Sequence, residues 1–352
     1  MPTIRHDEPI RGQVRLVGYR RVSHGLYLAD RGLAEEDEFL RDLRAWQTVL
    51  PDGAVFSHVT AARLRGWATP ALPEQVPVFA AVEGDRCVPR RLGLVCSRLI
   101  RASAPEQRRG LPVDSTCEIL LRAARDLGTL DLVIMIDSAL ACGDLDPRAM
   151  SEILASGRPG VRMLRGAWEL SSARCESAGE SMLRVFHEVM GIAVQPQVTL
   201  HDTHGRVIGR ADLLVTGTHV VHEYDGAGHR DQAQHRADLR RERAWVGTPY
   251  QRRGFVLDDL LNHPGVVMHE LDRWLGRPHD LRRLQRWRRL VDNSLYREPG
   301  RQRVLNRWRR AMGFDDWGRT ASPAAGSPRF VTKPQPRPPR ADERRGFLPH
   351  GP

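Results

Sequence analysis

The stretch Cys175-Glu-Ser-Ala-Gly-Glu180-Ser, followed by an amphipathic run to Met190, decides the fold of the second half of the chain. Apolar residues recur at helical spacing through this run, and Ser177 and Gly179 are typical of a helix start. The pattern therefore predicts a helix that ends near Met190 and carries Glu180 in its first turn.

Three strand-like segments follow this helix. Residues 197–201 and 207–215 flank the polar turn 202–205, so they predict a β-hairpin. Residues 218–225 predict a third strand, and this strand is ended by Gly226 and Gly228. The predicted order is a helix, a hairpin and a further strand.

Acidic residues lie at defined positions on these elements. Residues two apart on a strand share a face, so Glu223 and Asp225 point the same way. If Asp212 on the neighbouring strand faces the same side, three carboxylates converge. Such a cluster repels itself unless a cation lies in it, and hard oxygen ligands select Mg²⁺, Mn²⁺ or Ca²⁺.

The motifs Glu176-Ser-x-Gly-Glu-Ser, Arg210-Ala-Asp-Leu, Glu223-Tyr-Asp-Gly-x-x-His-Arg and Asp238-Leu-Arg-Arg carry a resemblance. The chain resembles the endonuclease-like domain of unknown function related to the very-short-patch-repair endonuclease, which belongs to the PD-(D/E)xK superfamily. The resemblance covers roughly residues 175–275 and implies a metal-dependent phosphodiesterase fold. It implies Mg²⁺ or Mn²⁺ as cofactor, held by Asp212, Glu223 and Glu180.

Asp225 stands where most of the superfamily has lysine, and the one lysine of the chain is Lys333 in a Pro-rich tail. His229 is the expected substitute, because a histidine can position or deprotonate water. Arg241 or Arg230 can supply positive charge but cannot act as a base. The alternative is a domain that keeps the nuclease fold for structure or DNA binding and hydrolyses nothing.

The formal net charge is +11 and the pI is near 10.3, which favours a polyanionic partner, above all nucleic acid. A genome that prefers arginine codons is the alternative origin of this charge. Five cysteines without a CxxC pair indicate reduced thiols in a cytoplasmic protein. No signal pattern precedes the first apolar run, and no run reaches the roughly 18 residues of a membrane span.

Before residue 110 the chain shows another pattern. Alternating apolar and basic residues at 15–29 predict two strands of a wing, and helices are predicted at 35–50 and at 57–67, around the turn Pro51-Asp-Gly. Ser57 is the expected N-cap of the second helix. The segment resembles the N-terminal part of abortive-infection type IV antitoxin proteins, in which a winged-helix-like module precedes a larger domain.

Between these regions, residues 76–101 predict two strands, and helices are predicted at 117–127, 131–141, 147–155 and 162–170. Ser115 and Glu118 fit a capping box. We expect Asp114 and Asp137 to make helix caps and surface pairs, since this region has no cluster of catalytic residue types.

Arginines are concentrated in two later segments of the chain. In the first segment, residues 230–243, the candidate nucleic-acid contacts are Arg230, Arg236, Arg240, Arg241 and Arg243. The alternative to phosphate contact is that these arginines are exposed to solvent and pair with acidic neighbours. From residue 281 to 310, eleven arginines stand against two carboxylates. Trp287, Tyr296 and Trp308 lie among them, either to stack on bases or to anchor the helices.

The predicted fold class is α/β (α+β), with a winged-helix-like and helical region followed by a restriction-endonuclease-like domain. The predicted boundaries are 1–110 for the antitoxin-like region, 111–174 for a helical linker region, 175–278 for the endonuclease-like domain, 279–317 for a basic helical extension and 318–352 for a disordered tail.

Two functions follow as expectations. The first is a Mg²⁺-dependent endonuclease that acts on DNA in bacterial defence or repair. The second is a non-catalytic DNA-binding regulator or antitoxin with a toxin as protein partner.

Overall fold

The computed structural model describes residues 8–12, 17–84, 86–99, 105–226 and 247–314. Within these ranges the protein is mixed α/β, with eleven helices and three β-sheets. His229, the arginines at 230–243 and the tail from residue 315 lie outside the described residues. No helix in the described ranges combines the length and the apolar character that crossing a bilayer requires.

The first sheet is small and antiparallel. It contains β1 (Ile10–Arg11), β2 (Tyr19–Ser23) and β3 (Leu26–Ala29) in the order β1-β3-β2. Apolar side chains of β3 pack against α1 (Glu35–Gln47), where Leu26, Leu28 and Ala45 form a buried cluster. The predicted two-stranded hairpin and the first helix are confirmed.

The second sheet is mixed and has five strands. Its strands are β4 (Val55–Phe56), β5 (Val78–Glu83), β6 (Leu94–Leu99), β7 (Glu106–Arg108) and β8 (Leu111–Val113), in the order β6-β5-β4-β8-β7. The sequence indicates β5 and β6 but not β4, because a two-residue strand has no period. β4 separates α1 from α2 (His58–Leu64), so no tight turn joins these helices.

The N-cap positions predicted at Ser57 and Ser115 are confirmed, but neither side chain caps its helix, so the predicted capping box is wrong. Ser57 lies at the N-cap position of α2, but its hydroxyl donates to Asp114 Oδ2 at 2.9 Å and caps nothing. Ser115 precedes α3 (Thr116–Ala123) without a side-chain cap, and Glu118 binds Arg158. In both places a partner distant in sequence offers a stronger, charge-assisted hydrogen bond.

Four helices form the middle of the chain: α3, α4 (Thr129–Ala141), α5 (Pro147–Ala155) and α6 (Val161–Trp168). All four were expected from their apolar periodicity. The expectation that Asp114 and Asp137 lie at the surface is wrong, since both are buried and bind Arg122 and Arg184 at 2.9 and 2.8 Å. Burial raises the pKa of both carboxyls, and the arginines oppose that shift.

The third sheet belongs to the second half. After α7 (Ala178–Val189) come β9 (Val194–His201), β10 (Val207–Val215), β11 (Val220–Tyr224) and β12 (Gln251–Phe255), in the order β12-β11-β10-β9. β11 and β12 run parallel, whereas the other pairs are antiparallel. The predicted helix, hairpin and third strand are confirmed.

Four helices complete the described chain: α8 (Leu257–Leu261), α9 (Pro264–Trp274), α10 (Leu281–Asp292) and α11 (Glu298–Met312). Trp287 and Trp308 are fully buried, so base stacking by these two residues is wrong and the anchoring alternative is right. Trp287 Nε1 donates to Leu260 O at 2.7 Å. One cluster of buried apolar side chains runs from Leu43 to Met312.

The start of α4 lies against the turn between α10 and α11. Asp131 accepts the N–H groups of Gly128 and Leu295 at 3.0 Å each, and burial raises its pKa to about 7. A Cβ at Gly128 would lie 2.2 Å from Asn293 O. The close approach of α4 to this turn therefore requires glycine at position 128, because the backbone oxygen of Asn293 would clash with any Cβ there.

We predict that Gly128→Ala lowers the free energy of unfolding by about 1–3 kcal/mol, as overpacking of a rigid interior does. Gly166→Ala in α6 is the matched control, because a Cβ there meets nothing within 4 Å. It should gain about 0.5–1 kcal/mol from lower backbone entropy in the unfolded state. Urea denaturation of the three proteins measures both changes, and equal stability of the two variants would contradict the predicted contact.

Candidate functional site

A row of residues crosses the third sheet, one from each strand. The register pairs Ala211 with Val198 and Leu213 with both Pro196 and His222. The residues between these pairs, Gln197 on β9, Asp212 on β10 and Glu223 on β11, are therefore side by side, and Glu223 pairs with Gly254 on β12. We name Gln197, Asp212, Glu223 and Gly254 the polar row.

Glu180 joins this row from the first turn of α7. The Ser177 hydroxyl caps the helix by accepting the Glu180 N–H at 3.2 Å, as predicted from the sequence. Glu180 Oε2 accepts the side-chain amide of Gln197 at 2.7 Å and the N–H of Glu176 at 3.0 Å. Gln197 has φ of 55°, a left-handed conformation uncommon for a residue with a side chain and often found at functional sites.

Asp212 lies where β10 and β11 separate. The described pairing between these strands ends at Leu213 and His222. Beyond that pair, the Tyr224 N–H donates to Asp212 Oδ2 at 2.9 Å instead of to a backbone carbonyl. The Asp212 carboxylate thus enters the end of the ladder and opens the sheet beside Glu223.

Arg252 on β12 neutralises two carboxylates, Glu223 in β11 and Asp225 directly after that strand. Its Nη2 donates to Asp225 Oδ1 at 3.0 Å, and its Nε donates to Glu223 Oε2. The shared partner confirms that Glu223 and Asp225 reach the same side of the strand. Gly254 leaves room for this arrangement, because a Cβ there would lie 1.9 Å from Asp225 Oδ2.

Sequence reasoning missed Arg252. It placed the compensating positive charge on Arg230 or Arg241, which lie outside the described residues, as does His229, the expected substitute for the lysine. Nothing in the sequence gives the register of β12 on β11. Only that parallel register brings the guanidinium to Glu223.

The carboxylates do not fit a divalent cation in this arrangement. Within the described ranges, no group of three or more His, Cys, Asp or Glu side chains is arranged to hold a metal ion. Mg²⁺ needs near-octahedral oxygen ligands at roughly 2.0–2.1 Å. Here a guanidinium binds Glu223 and Asp225, and Glu180 is bound by Gln197 and the Glu176 N–H.

A buried histidine pair supports β11 from the side of α7. His187 Nδ1 donates to Leu183 O at 2.7 Å, so His187 Nε2 is the acceptor for His222 Nδ1, also at 2.7 Å. Both rings are fully buried. Burial lowers the pKa of His187 to about 4, and burial together with His187 lowers the pKa of His222 to about 3. The pair is therefore neutral at physiological pH.

Tyr224 packs on the start of α7. A Cβ at Gly179 would lie 2.0 Å from the Tyr224 ring, so glycine is needed for the helix to approach β11 this closely. Gly179 directly precedes Glu180 in the chain. The ring contact therefore sets the position of the helix carboxylate relative to the polar row.

Comparison of the chain with protein-family models, with curated proteins and with solved structures gave no match. The candidate site consequently stands on its own geometry. The structure brings Glu180, Asp212, Glu223 and Asp225 to one end of the third sheet.

We predict that Arg252→Gln lowers the free energy of unfolding by about 1–3 kcal/mol, because it leaves the buried Glu223 carboxylate without a charged partner. Arg253→Gln on the same strand is the control, and its exposed side chain should change stability by less than about 0.5 kcal/mol. Adding Glu223→Gln to Arg252→Gln should recover part of the loss. Chemical denaturation measures the free energy of unfolding of each variant. A double variant less stable than Arg252→Gln would contradict the pairing of Arg252 with Glu223.

The histidine pair predicts how stability depends on pH. In the unfolded chain both histidines titrate near 6.5, far above their folded pKa values. Above pH 6.5 neither state binds the protons and the stability is fully present. As the pH falls from 6.5 toward 4 the unfolded chain takes up protons first, so stability drops by up to about 1.4 kcal/mol per pH unit for each histidine.

The His187→Leu/His222→Leu variant should have a shallower dependence of unfolding free energy on pH between 6.5 and 4.5 than the wild type. His201→Gln, which replaces an exposed histidine, should retain the wild-type slope. Urea titrations at several pH values measure the three slopes. Equal slopes for the wild type and the double variant would show that the pair is not neutral in the folded state.

Proposed function

We propose that the chain is a nucleic-acid-binding protein, with DNA as partner, built on an endonuclease-like domain that acts as a scaffold. The observation that carries the proposal is the uncompensated positive charge of α10 and α11. The exposed arginines of these helices have no carboxylate within ion-pair distance among the described residues. They are Arg282, Arg286, Arg288, Arg289, Arg307 and Arg310.

Other arginines of the described chain have internal partners. Arg63 pairs with Glu35 and Glu36, and the buried Arg65 pairs with Glu106 and Asp144. Both guanidinium groups are thus bound by carboxylates of the chain itself. The positive charge available to a polyanion is thus concentrated on the C-terminal helices rather than on α2.

The finer architecture is part of the proposal. The helix, hairpin and third strand, with β12 parallel to β11, support a PD-(D/E)xK-type domain at 175–278. The small sheet and α1 support a winged-helix-like module in the N-terminal region. The antitoxin resemblance adds a toxin as protein partner, which would make the chain a regulator in bacterial defence.

Hydrolysis of DNA is the second candidate function. The observation that favours it is the polar row, which sets Asp212 beside Glu223 and links Glu180 through Gln197. Metal binding at these carboxylates would require the Arg252 guanidinium to leave Glu223 and Asp225. For this reason non-catalytic binding is the function that the geometry supports best.

One experiment tests both candidates. We expect purified protein to bind short duplex DNA with an affinity that falls steeply with salt, because Arg–phosphate contacts release counterions. We expect it to leave supercoiled plasmid intact with Mg²⁺ or Mn²⁺. Fluorescence anisotropy and gel analysis measure the two results.

The control is Asp212→Asn/Glu223→Gln, which should bind DNA like the wild type. Plasmid nicking by the wild type that this variant lacks would replace the scaffold proposal by the hydrolase. Absence of DNA binding at low salt would contradict the proposed function itself.

A further inference from the structure

A cavity of about 430 Å³ opens between the start of α4, α10 and α11. Its volume lies within the roughly 300–1,000 Å³ of small-ligand sites in proteins. Among its described lining residues are three arginines, Arg286, Arg289 and Arg303, and no Asp or Glu. Gly128, the N-cap of α4, and Thr129, its first residue, form another part of the wall.

The three guanidinium groups lack ionic partners within the described chain. Arg286 forms no hydrogen bond or ion pair there, and Arg289 makes one long contact, from Nε to Gln285 O at 3.4 Å. Arg303 donates to two backbone carbonyls, Asp126 O and Asn293 O, at 2.8 Å each. Its Nε is buried and makes no hydrogen bond to any described residue.

The local charges leave this cluster uncompensated. Burial and the neighbouring Arg307 lower the pKa of Arg303, and Asp131 and Asp126 only partly oppose that shift. Asp131 does not line the cavity, and the N–H groups of Gly128 and Leu295 bind its carboxylate oxygens. A group of cations held together without a bound carboxylate attracts an anion.

The start of α4 adds to this attraction. The helix has thirteen residues, and its positive dipole end forms part of the cavity wall. Arginine forks bind two oxygens of one phosphate at once, which favours phosphate over a spherical anion. The chemistry of the cavity therefore fits a phosphate group.

We propose that this cavity binds a phosphate of a nucleic-acid backbone, with Arg286, Arg289 and Arg303 as its ligands. The inference rests on the proposed nucleic-acid binding and names the place where the backbone docks. Arginine rows extend the surface on both helices, since Arg282 lies one turn before Arg286 and Arg307 one turn after Arg303. A backbone that enters the cavity can continue along these rows.

The test compares two double variants that remove the same charge. Arg286→Ala/Arg289→Ala alters the cavity, whereas Arg148→Ala/Arg273→Ala removes two exposed arginines that neither line it nor lie on α10 or α11. Each protein is titrated with a short DNA duplex at several salt concentrations. Each is also heated with and without millimolar inorganic phosphate, which stabilises a folded protein that binds it.

We expect the cavity variant to weaken duplex binding about tenfold or more and to flatten the salt dependence by about one to two phosphate contacts. The control variant should change binding less than threefold, and phosphate should stabilise the wild type and the control but not the cavity variant. Arg303→Gln should reproduce the loss of phosphate stabilisation.

Three results would overturn the inference, each in a distinguishable way. Equal weakening by both double variants would show that net charge alone binds DNA, and an unchanged cavity variant would place the DNA elsewhere while leaving the proposed function intact. Stabilisation by phosphate without any DNA binding would make the cavity a small-anion site and contradict the proposed function as well.

Discussion

The buried ion pair of Arg184 and Asp137 joins the two halves of the described chain. Arg184 Nη2 on α7 binds Asp137 Oδ2 on α4 at 2.8 Å, and its other nitrogens bind Glu188 and the Cys175 thiol. Asp137 also accepts the Ser172 N–H at 2.7 Å. Such a pair adds little net stability over an apolar one, but losing either partner is costly, so it constrains where α7 can lie. That placement carries Glu180 to the end of the third sheet.

Contacts with α7 in turn fix the position of β11. The neutral His187–His222 pair and the Tyr224 ring over Gly179 hold the strand against the helix. On the other side of the strand, Arg252 neutralises Glu223 and Asp225. β11 thus combines uncharged hydrogen bonding on its buried face with an ion-pair network at the carboxylates. Electrostatic repulsion between these carboxylates is thus relieved by a guanidinium of the protein itself.

The aromatic and the charged residues of the C-terminal helices have different roles. Trp287 and Trp308 fill the core and fix α10 and α11, while Arg288, Arg289 and Arg307 between them are exposed. Amphipathic helices achieve this separation because residues three or four apart share a face. The arrangement presents a basic surface on a rigid support.

The sequence by itself determined the elements whose signals are local. The helix at Ala178–Val189, the hairpin of β9 and β10, and the strand Val220–Tyr224 follow from periodicity and turn residues, and the shared direction of Glu223 and Asp225 follows from the strand period. Only the tertiary structure decided which side chains bind each other. Ser57 binds Asp114 and Arg252 binds Glu223, across separations of 57 and 29 residues. Register and packing bring such groups together, and no local pattern encodes them, because each side chain meets its partner only after the sheets and helices have assembled.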